Sequence, residues 1–266
     1  ERVRGMTAPA VHLPGLKVVL INVPRSHDRR EAMQQRLTEL GLTYSLFAAV
    51  DGRAEQARLF RQVDVPAFQR HVGRDVLSGE IGCYFSHITV WQQFLDSGEA
   101  VLLVLEDDVV FGSDFLAALH EALRVRAHWD FLKLNKIRAK QPISQGRVGP
   151  YRLNAYLGTA TGLGAYLIQR ETAQRLLPAI LPITRPIDHE LDRIHVHRLR
   201  HFGLEPFPSQ VRDDSQSTIT GQAFSAVKKH AWHARLLVYR LRWRNFWGRC
   251  FYLLNTGRLL PRNHPL

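Results

Sequence analysis

Residues 101–111 read Val-Leu-Leu-Val-Leu-Glu-Asp-Asp-Val-Val-Phe, three consecutive acids between two apolar runs. An unpaired buried carboxylate is costly, so such groups are paired, hydrogen-bonded or bound to a cation. Glu106, Asp107 and Asp108 therefore sit either in a solvated turn between two strands or against something positive. A hard divalent ion such as Mg²⁺ or Mn²⁺ takes oxygen ligands. One or two carboxylates plus phosphate oxygens make an ordinary shell for a nucleotide-bound metal. A second acidic group lies in Pro186-Ile-Asp-His-Glu-Leu-Asp192. There Asp188 and Asp192 are one helical turn apart and Glu190 faces elsewhere. A carboxylate so placed suits a general base, and equally an acidic first turn favoured by the helix dipole. Cys83 and His87, at i and i+4, have zinc-ligand spacing, but no second ligand pair accompanies them.

The elements that must position these groups alternate between strand and helix. Lys17–Val23 is a compact β-branched run closed by Pro24, and reads as a buried strand. A helix follows, with Ser26 as N-cap, Met33, Leu37 and Leu40 on one face and Gly41 at its C-terminal end. Tyr44–Asp51 reads as a second strand, so the unit is βαβ and its strands are parallel. Ser78 is expected to cap a helix running to about Asp96, where Glu80 and His87, two turns apart, share a face. The acid triad then falls at the C-terminal end of the next strand, where open α/β sheets bind ligands. Beyond it the pattern predicts a helix over 114–126, a strand over 131–135, a polar loop over 136–154 and an extended glycine-rich stretch over 155–169. Helices over 170–177 and 187–201 complete the reading.

The chain has 266 residues and is 45% hydrophobic, enough for a substantial core. Its two cysteines make no disulfide framework, and no stretch reaches the length of a spanning helix. The net charge of +12 is unevenly spread: residues 215–266 hold nine Lys or Arg and no acid, interleaved with Trp, Tyr, Phe and Leu. This pattern suits a helix lying on an anionic membrane surface, or a core-packing helix with a basic outer face. Nucleic acid is not expected as a partner, because no nucleic-acid motif accompanies it. The expected organisation is a leader over 1–16, an α/β domain over 17–220 and a basic, aromatic-rich helical extension over 221–266.

Three stretches, Val18–Gly52, Leu77–Phe94 (with Gly-Glu-Ile-Gly-Cys and Ser-His) and Val101–Phe111, resemble in order and spacing three blocks of glycosyltransferase family 25. Residues 158–177 and 186–194 are similar to its later blocks, less closely, with Gly-Leu-Gly-Ala-Tyr-Leu-Ile departing from the expected Gly-Tyr before Ile-Ser. The resemblance implies a GT-A-type, Rossmann-like, mostly parallel sheet flanked by helices. It implies a metal-dependent inverting hexosyltransferase using a UDP-sugar, most often UDP-galactose, with Mn²⁺ or Mg²⁺. Asp108 and Glu106 would hold the metal, with Asp107 as second contact or on the ribose. Asn22 and Asp51 would meet the base or ribose, Arg25 and Arg29 the phosphates, and Glu80 and His87 would stand beside the donor pocket. Asp188 is the expected base, with Glu190 its neighbour. Asp213–Ile219 is a further candidate for metal or phosphate contact. The implied acceptor is a lipid-linked saccharide of bacterial lipopolysaccharide or lipooligosaccharide, met in the cytoplasm at the inner face of the inner membrane. The alternatives are a catalytically inactive binding module, a collagen hydroxylysine galactosyltransferase, and a nucleotidyltransferase using the same carboxylates.

Overall fold

The structure, a computed structural model, describes residues 11, 13–212, 230–232 and 235–266. The first half of the chain runs β1 (Leu16–Asn22), α1 (His27–Glu39), β2 (Ser45–Ala48), α2 (Gln56–Leu59), α3 (Val65–Val72), α4 (Ser78–Asp96), β3 (Val101–Glu106), β4 (Val109–Phe111) and α5 (Phe115–Arg124). The second half runs β5 (Phe131–Lys133), β6 (Pro142–Val148), β7 (Tyr151–Tyr156), β8 (Ala165–Gln169), α6 (Arg170–Leu176), α7 (Ile187–Leu191), α8 (Ile194–His197), β9 (His201–Glu205), β10 (Ser209–Val211), α9 (Leu236–Asn255) and β11 (Arg262–Pro265). Asp213–Ile219 lies outside the described residues.

Among the described residues nine strands form one sheet, ordered β11-β6-β7-β9-β5-β8-β3-β1-β2, while β4 and β10 pair separately. The expected βαβ unit is present, with β1 parallel to both β2 and β3. Antiparallel β8 lies between β3 and β5, and β5 is parallel to β9. The sheet is thus a mixed α/β sheet, and the parallel trio carries the first motif. Val101–Leu105 are buried throughout, as a central strand covered on both faces requires. Trp91 and Phe94 of α4 are fully buried in the same core.

Three expectations are corrected. Residues 136–154 contain not a loop but most of the hairpin β6–β7, turned at Gly149 with φ +57°. Its apolar alternation is confined to Tyr151, Leu153 and Ala155, and β6 is too polar to read as a strand because it lies near the sheet edge. The helix expected over 187–201 is broken into α7 and α8, and the chain leaves α8 through Arg198 in the left-handed region before entering β9. Ser78 is the first residue of α4 rather than its cap, and Ser26 caps α1 by position without a side-chain hydrogen bond. Near the C-terminus, β11 pairs in parallel with β6 at the sheet edge.

Candidate active site

Strand β3 delivers the acids. Opposite Glu106 in the register stands Ile21, so the next residue of β1, Asn22, reaches across to the turn after β3. Its Nδ2 donates to Asp107 Oδ2 at 2.6 Å, the backbone N–H of Val23 donates to the same oxygen at 3.2 Å, and Arg29 Nη1 stands 3.8 Å from Oδ1. Asp107 is therefore engaged by β1 and α1. Burial pushes its carboxyl up, against the pull of Val23, Asn22 and Arg29. Asp108 is different: its Oδ1 is buried and accepts no hydrogen bond. Burial, together with the charges of Glu106 and Asp107, pushes its carboxyl up to about 7. A buried carboxylate oxygen with no donor, near two further carboxylates, is one that could take a cation. Among the described residues, however, Asp108 is not part of a group of ligand atoms within 4.8 Å of one another.

Glu106 meets the interior from the other side. Trp91 Nε1 is a donor only, so at 2.9 Å it donates to the Tyr166 hydroxyl oxygen. The Tyr166 O–H then donates to His87 Nδ1 at 2.8 Å, and His87 donates from Nε2 to Glu106 Oε1 at 3.1 Å. This chain assigns the neutral Nε2–H tautomer to His87 and aims Glu106. Cys83 Sγ lies 4.0 Å from the same oxygen, and Cys83, His87 and Glu106 present ligand atoms within 4.8 Å of one another. Burial and the surrounding carboxylates push the Cys83 thiol well up, so it stands there as a thiol.

The loop joining β7 to β8 forms the next wall. The Glu106 N–H donates to Gly164 O at 2.7 Å, and the Gly162 N–H donates to Asp188 Oδ2 at 3.1 Å. Asp188 and the triad are thus bonded to the same loop. Lys133, fully buried at the end of β5, donates from Nζ to Thr161 O at 3.1 Å and to Gly162 O. Burial lowers its ammonium to about 8, while the charges of Asp188, Asp192 and Glu106 oppose the shift. Asn135, also fully buried, has neither amide oxygen nor amide nitrogen paired. A Cβ at Gly164 would lie 2.3 Å from its Nδ2, so Gly164 makes room for this amide. Lys133 and Asn135 were hidden in Phe-Leu-Lys-Leu-Asn, where the polar residues alternate with apolar ones as in any half-exposed strand. The available signal was a polar residue at the C-terminal end of a central strand.

The profile of glycosyltransferase family 25 (LPS biosynthesis protein) matches residues 16–191. The chain belongs to glycosyltransferase family 25. The human inactive glycosyltransferase 25 family member 3 is 30% identical over 185 residues, covering 66% of this chain and 31% of that one. Procollagen galactosyltransferase 1 of Danio rerio is 27% identical over 236 residues, 79% of this chain and 39% of that one. The chain spans about a third to two fifths of the length of these curated relatives. Among solved structures, A197 from STIV superposes with a TM-score of 0.41 at 11% identity, covering 75% of this chain and 87% of that one.

The family 25 motif residues divide into those at the acids and those that build the frame. Gly82 is a frame residue: a Cβ there would sit 2.5 Å from Val50 O and 2.7 Å from Gly52 N. Ser86 Oγ accepts from the Val50 N–H and donates to Gly82 O, both at 2.8 Å. Glu80 turns away from His87 and forms a buried two-pronged pair with Arg74. Because that carboxylate is already satisfied, Glu80 serves the packing of α4. Glu190 is likewise placed elsewhere, with Arg185 Nε at 2.9 Å, Arg193 Nη1 at 2.8 Å and His197 Nε2 at 2.7 Å. Burial raises its carboxyl, but the His197 bond and the charges of Arg193 and Arg185 outweigh this and hold it low. A carboxylate so neutralised is a poor proton acceptor. Arg25 and Asp51 form an exposed pair at 3.9 Å, and Asp51 Oδ1 accepts from the N–H groups of Arg53 and Ala54 as a turn cap.

Proposed function

We propose that this family 25 chain transfers a hexose, galactose first among the candidates, from a UDP-sugar to a hydroxyl of a saccharide acceptor with inversion. The observation that carries this reading is the buried, unpartnered Asp108 Oδ1 inside the carboxylate triad. An oxygen-only donor set suits Mn²⁺ or Mg²⁺, which Asp108 and Glu106 would hold. When bound, the ion would stabilise the departing diphosphate as a Lewis acid. Arg29 faces the same group from α1 and supplies positive charge for the phosphates. Asp188 takes the proton of the attacking hydroxyl. Its Oδ2 bond to Gly162 keeps it on the loop that also bonds Glu106 through Gly164.

The acceptor is a lipid-linked saccharide of the lipopolysaccharide type, met at a cytoplasmic membrane face. The family description, which names lipopolysaccharide biosynthesis, supports this, as does the basic, aromatic C-terminal stretch. The names of the procollagen galactosyltransferase relatives favour a second reading, a hydroxylysine acceptor. The relatives named inactive favour a third, a binding module. UDP release from a panel of UDP-sugars, with and without Mn²⁺, tests the donor half. One donor turned over by the wild type but not by Asp108→Ala sustains it, and no turnover of any donor supports the binding module. An acceptor panel of lipooligosaccharide cores and hydroxylysine peptides then separates the first two readings.

A further inference from the structure

Helix α9 carries apolar residues on both its inner and its outer face. Its inner face, Val238, Arg249 and Leu253, is buried. Arg249 donates from Nη2 to the backbone oxygen of Asp192 at 3.0 Å and pairs with the Asp192 carboxylate, fixing the helix beside α7. The outer face carries an apolar stripe. Leu236, Tyr239, Trp243, Trp247, Phe251 and Leu254 recur every three or four residues and so form one stripe, with Trp243 66% and Phe251 59% exposed. Arg240 and Arg244 fall along the same side at that spacing and are exposed. Trp243 and Phe251 each pack against Trp247, which joins them into an aromatic ridge.

Beside the ridge, between α8 and α9, runs a cleft of about 450 Å³ lined by Arg193, His195, Trp243, Arg244, Trp247 and Phe251. Gly248 lets His195 approach the helix, since a Cβ there would lie 2.6 Å from its Cδ2. His195 Nδ1 and Arg193 Nε are buried and carry no hydrogen bond. Burial, and after it the charges of Arg193, Arg249, His197 and Arg244, lower the His195 imidazole to about 4, so it lines the cleft as a neutral ring.

We propose that α9 lies in the plane of an anionic bilayer with its aromatic ridge at headgroup depth, and that the α8–α9 cleft takes a lipid phosphate between Arg193, Arg244 and His195. Charge decides the occupant. Arg240 and Arg244 stand along the stripe and α9 holds no acid, so a second copy packed on the same stripe would set cation against cation. An anionic surface neutralises them, and Trp and Tyr favour the water–lipid boundary. The proposal does not rest on the transferase reading, because vesicle binding is measured without any donor.

The test is co-sedimentation of the full chain with vesicles of phosphatidylcholine alone and of phosphatidylcholine with phosphatidylglycerol. Partitioning onto the anionic vesicles only, weakened by salt, is expected. The paired variants Trp243→Ala with Trp247→Ala, and Arg240→Glu with Arg244→Glu, are each expected to lower partitioning about tenfold or more. Far-UV circular dichroism checks that both variants are folded. Quenching of tryptophan emission by lipids brominated in the acyl chain, present in the wild type and lost in Trp243→Ala with Trp247→Ala, reads insertion directly. Equal partitioning onto neutral and anionic vesicles, or none, overturns the proposal. So does a concentration-dependent dimer abolished by the tryptophan pair, or binding of glycerol phosphate in solution without vesicle partitioning.

Discussion

The Tyr166 hydroxyl stands 2.8 Å from His87 Nδ1 and 2.9 Å from Trp91 Nε1, which determines the hydrogen that His87 turns toward Glu106. Tyr166→Phe leaves the indole N–H and the imidazole Nδ1 unpaired in a buried site, at a cost of about 2 kcal/mol. Donor turnover is expected to fall as Glu106 loses its fixed aim. Denaturant unfolding measures the first effect. ¹⁵N NMR of the wild-type imidazole should find the neutral Nε2–H form, and a neutral Nδ1–H form would remove the argument.

Replacing Asp108 should change stability and activity in opposite directions. Its carboxylate is buried beside Glu106 and Asp107, so without a cation Asp108→Asn relieves repulsion and raises stability at neutral pH by roughly 1–2 kcal/mol. The same change should abolish any Mn²⁺-induced rise in melting temperature, together with UDP release. Thermal melts with and without Mn²⁺ check both. A variant less stable than the wild type in the chelated state would contradict the cation reading.

Asp188 is tested by separating chemistry from binding. Asp188→Asn is expected to lower transfer by about 10²-fold or more. UDP affinity by calorimetry should stay within about twofold of the wild type, a factor worth under ~0.5 kcal/mol. A loss confined to affinity would make Asp188 a loop anchor through Gly162 and nothing more.

Glu190 predicts a pH dependence. Its folded-state carboxyl is held below the ordinary value of 4.5. The stability it contributes is therefore present above that value and lost as pH falls through the lower folded one. Glu190→Gln should cost about 3 kcal/mol at neutral pH, because Arg185, Arg193 and His197 lose their counter-charge. It should also flatten the acid limb of the stability curve below pH 4.5, as urea unfolding across pH would show.

Gly82→Ala tests the frame. The added Cβ would meet the backbone atoms Val50 O and Gly52 N, neither of which can swing aside. A loss of about 2–3 kcal/mol is expected. Hydrogen exchange at residues 50–52 should accelerate.

The parallel trio and the acids were legible because they depend on local pattern: a β-branched run, a capped amphipathic helix, then carboxylates at a strand end. The hairpin β6–β7 was not, because its polarity reflects its place near the sheet edge, which no window of sequence contains. Side-chain direction was hidden for the same reason. Helical spacing put Glu80 and His87 on one face, but Arg74 captures Glu80 from a preceding loop. Asn135 looked like any strand residue, and the Gly164 against which its unpaired amide lies is 29 positions away.

The Asn22–Asp107 hydrogen bond spans 85 positions of sequence, and Asp188 lies 80 positions beyond Asp108. Loops of that length must close before any of these groups meet, so the site belongs to the slow, non-local part of folding. Helices α1 and α4 rest on local contacts and can form before those loops close, whereas the setting of Asp107 cannot. Nucleotide binding during refolding should therefore lag behind helix formation and report the last strands to join.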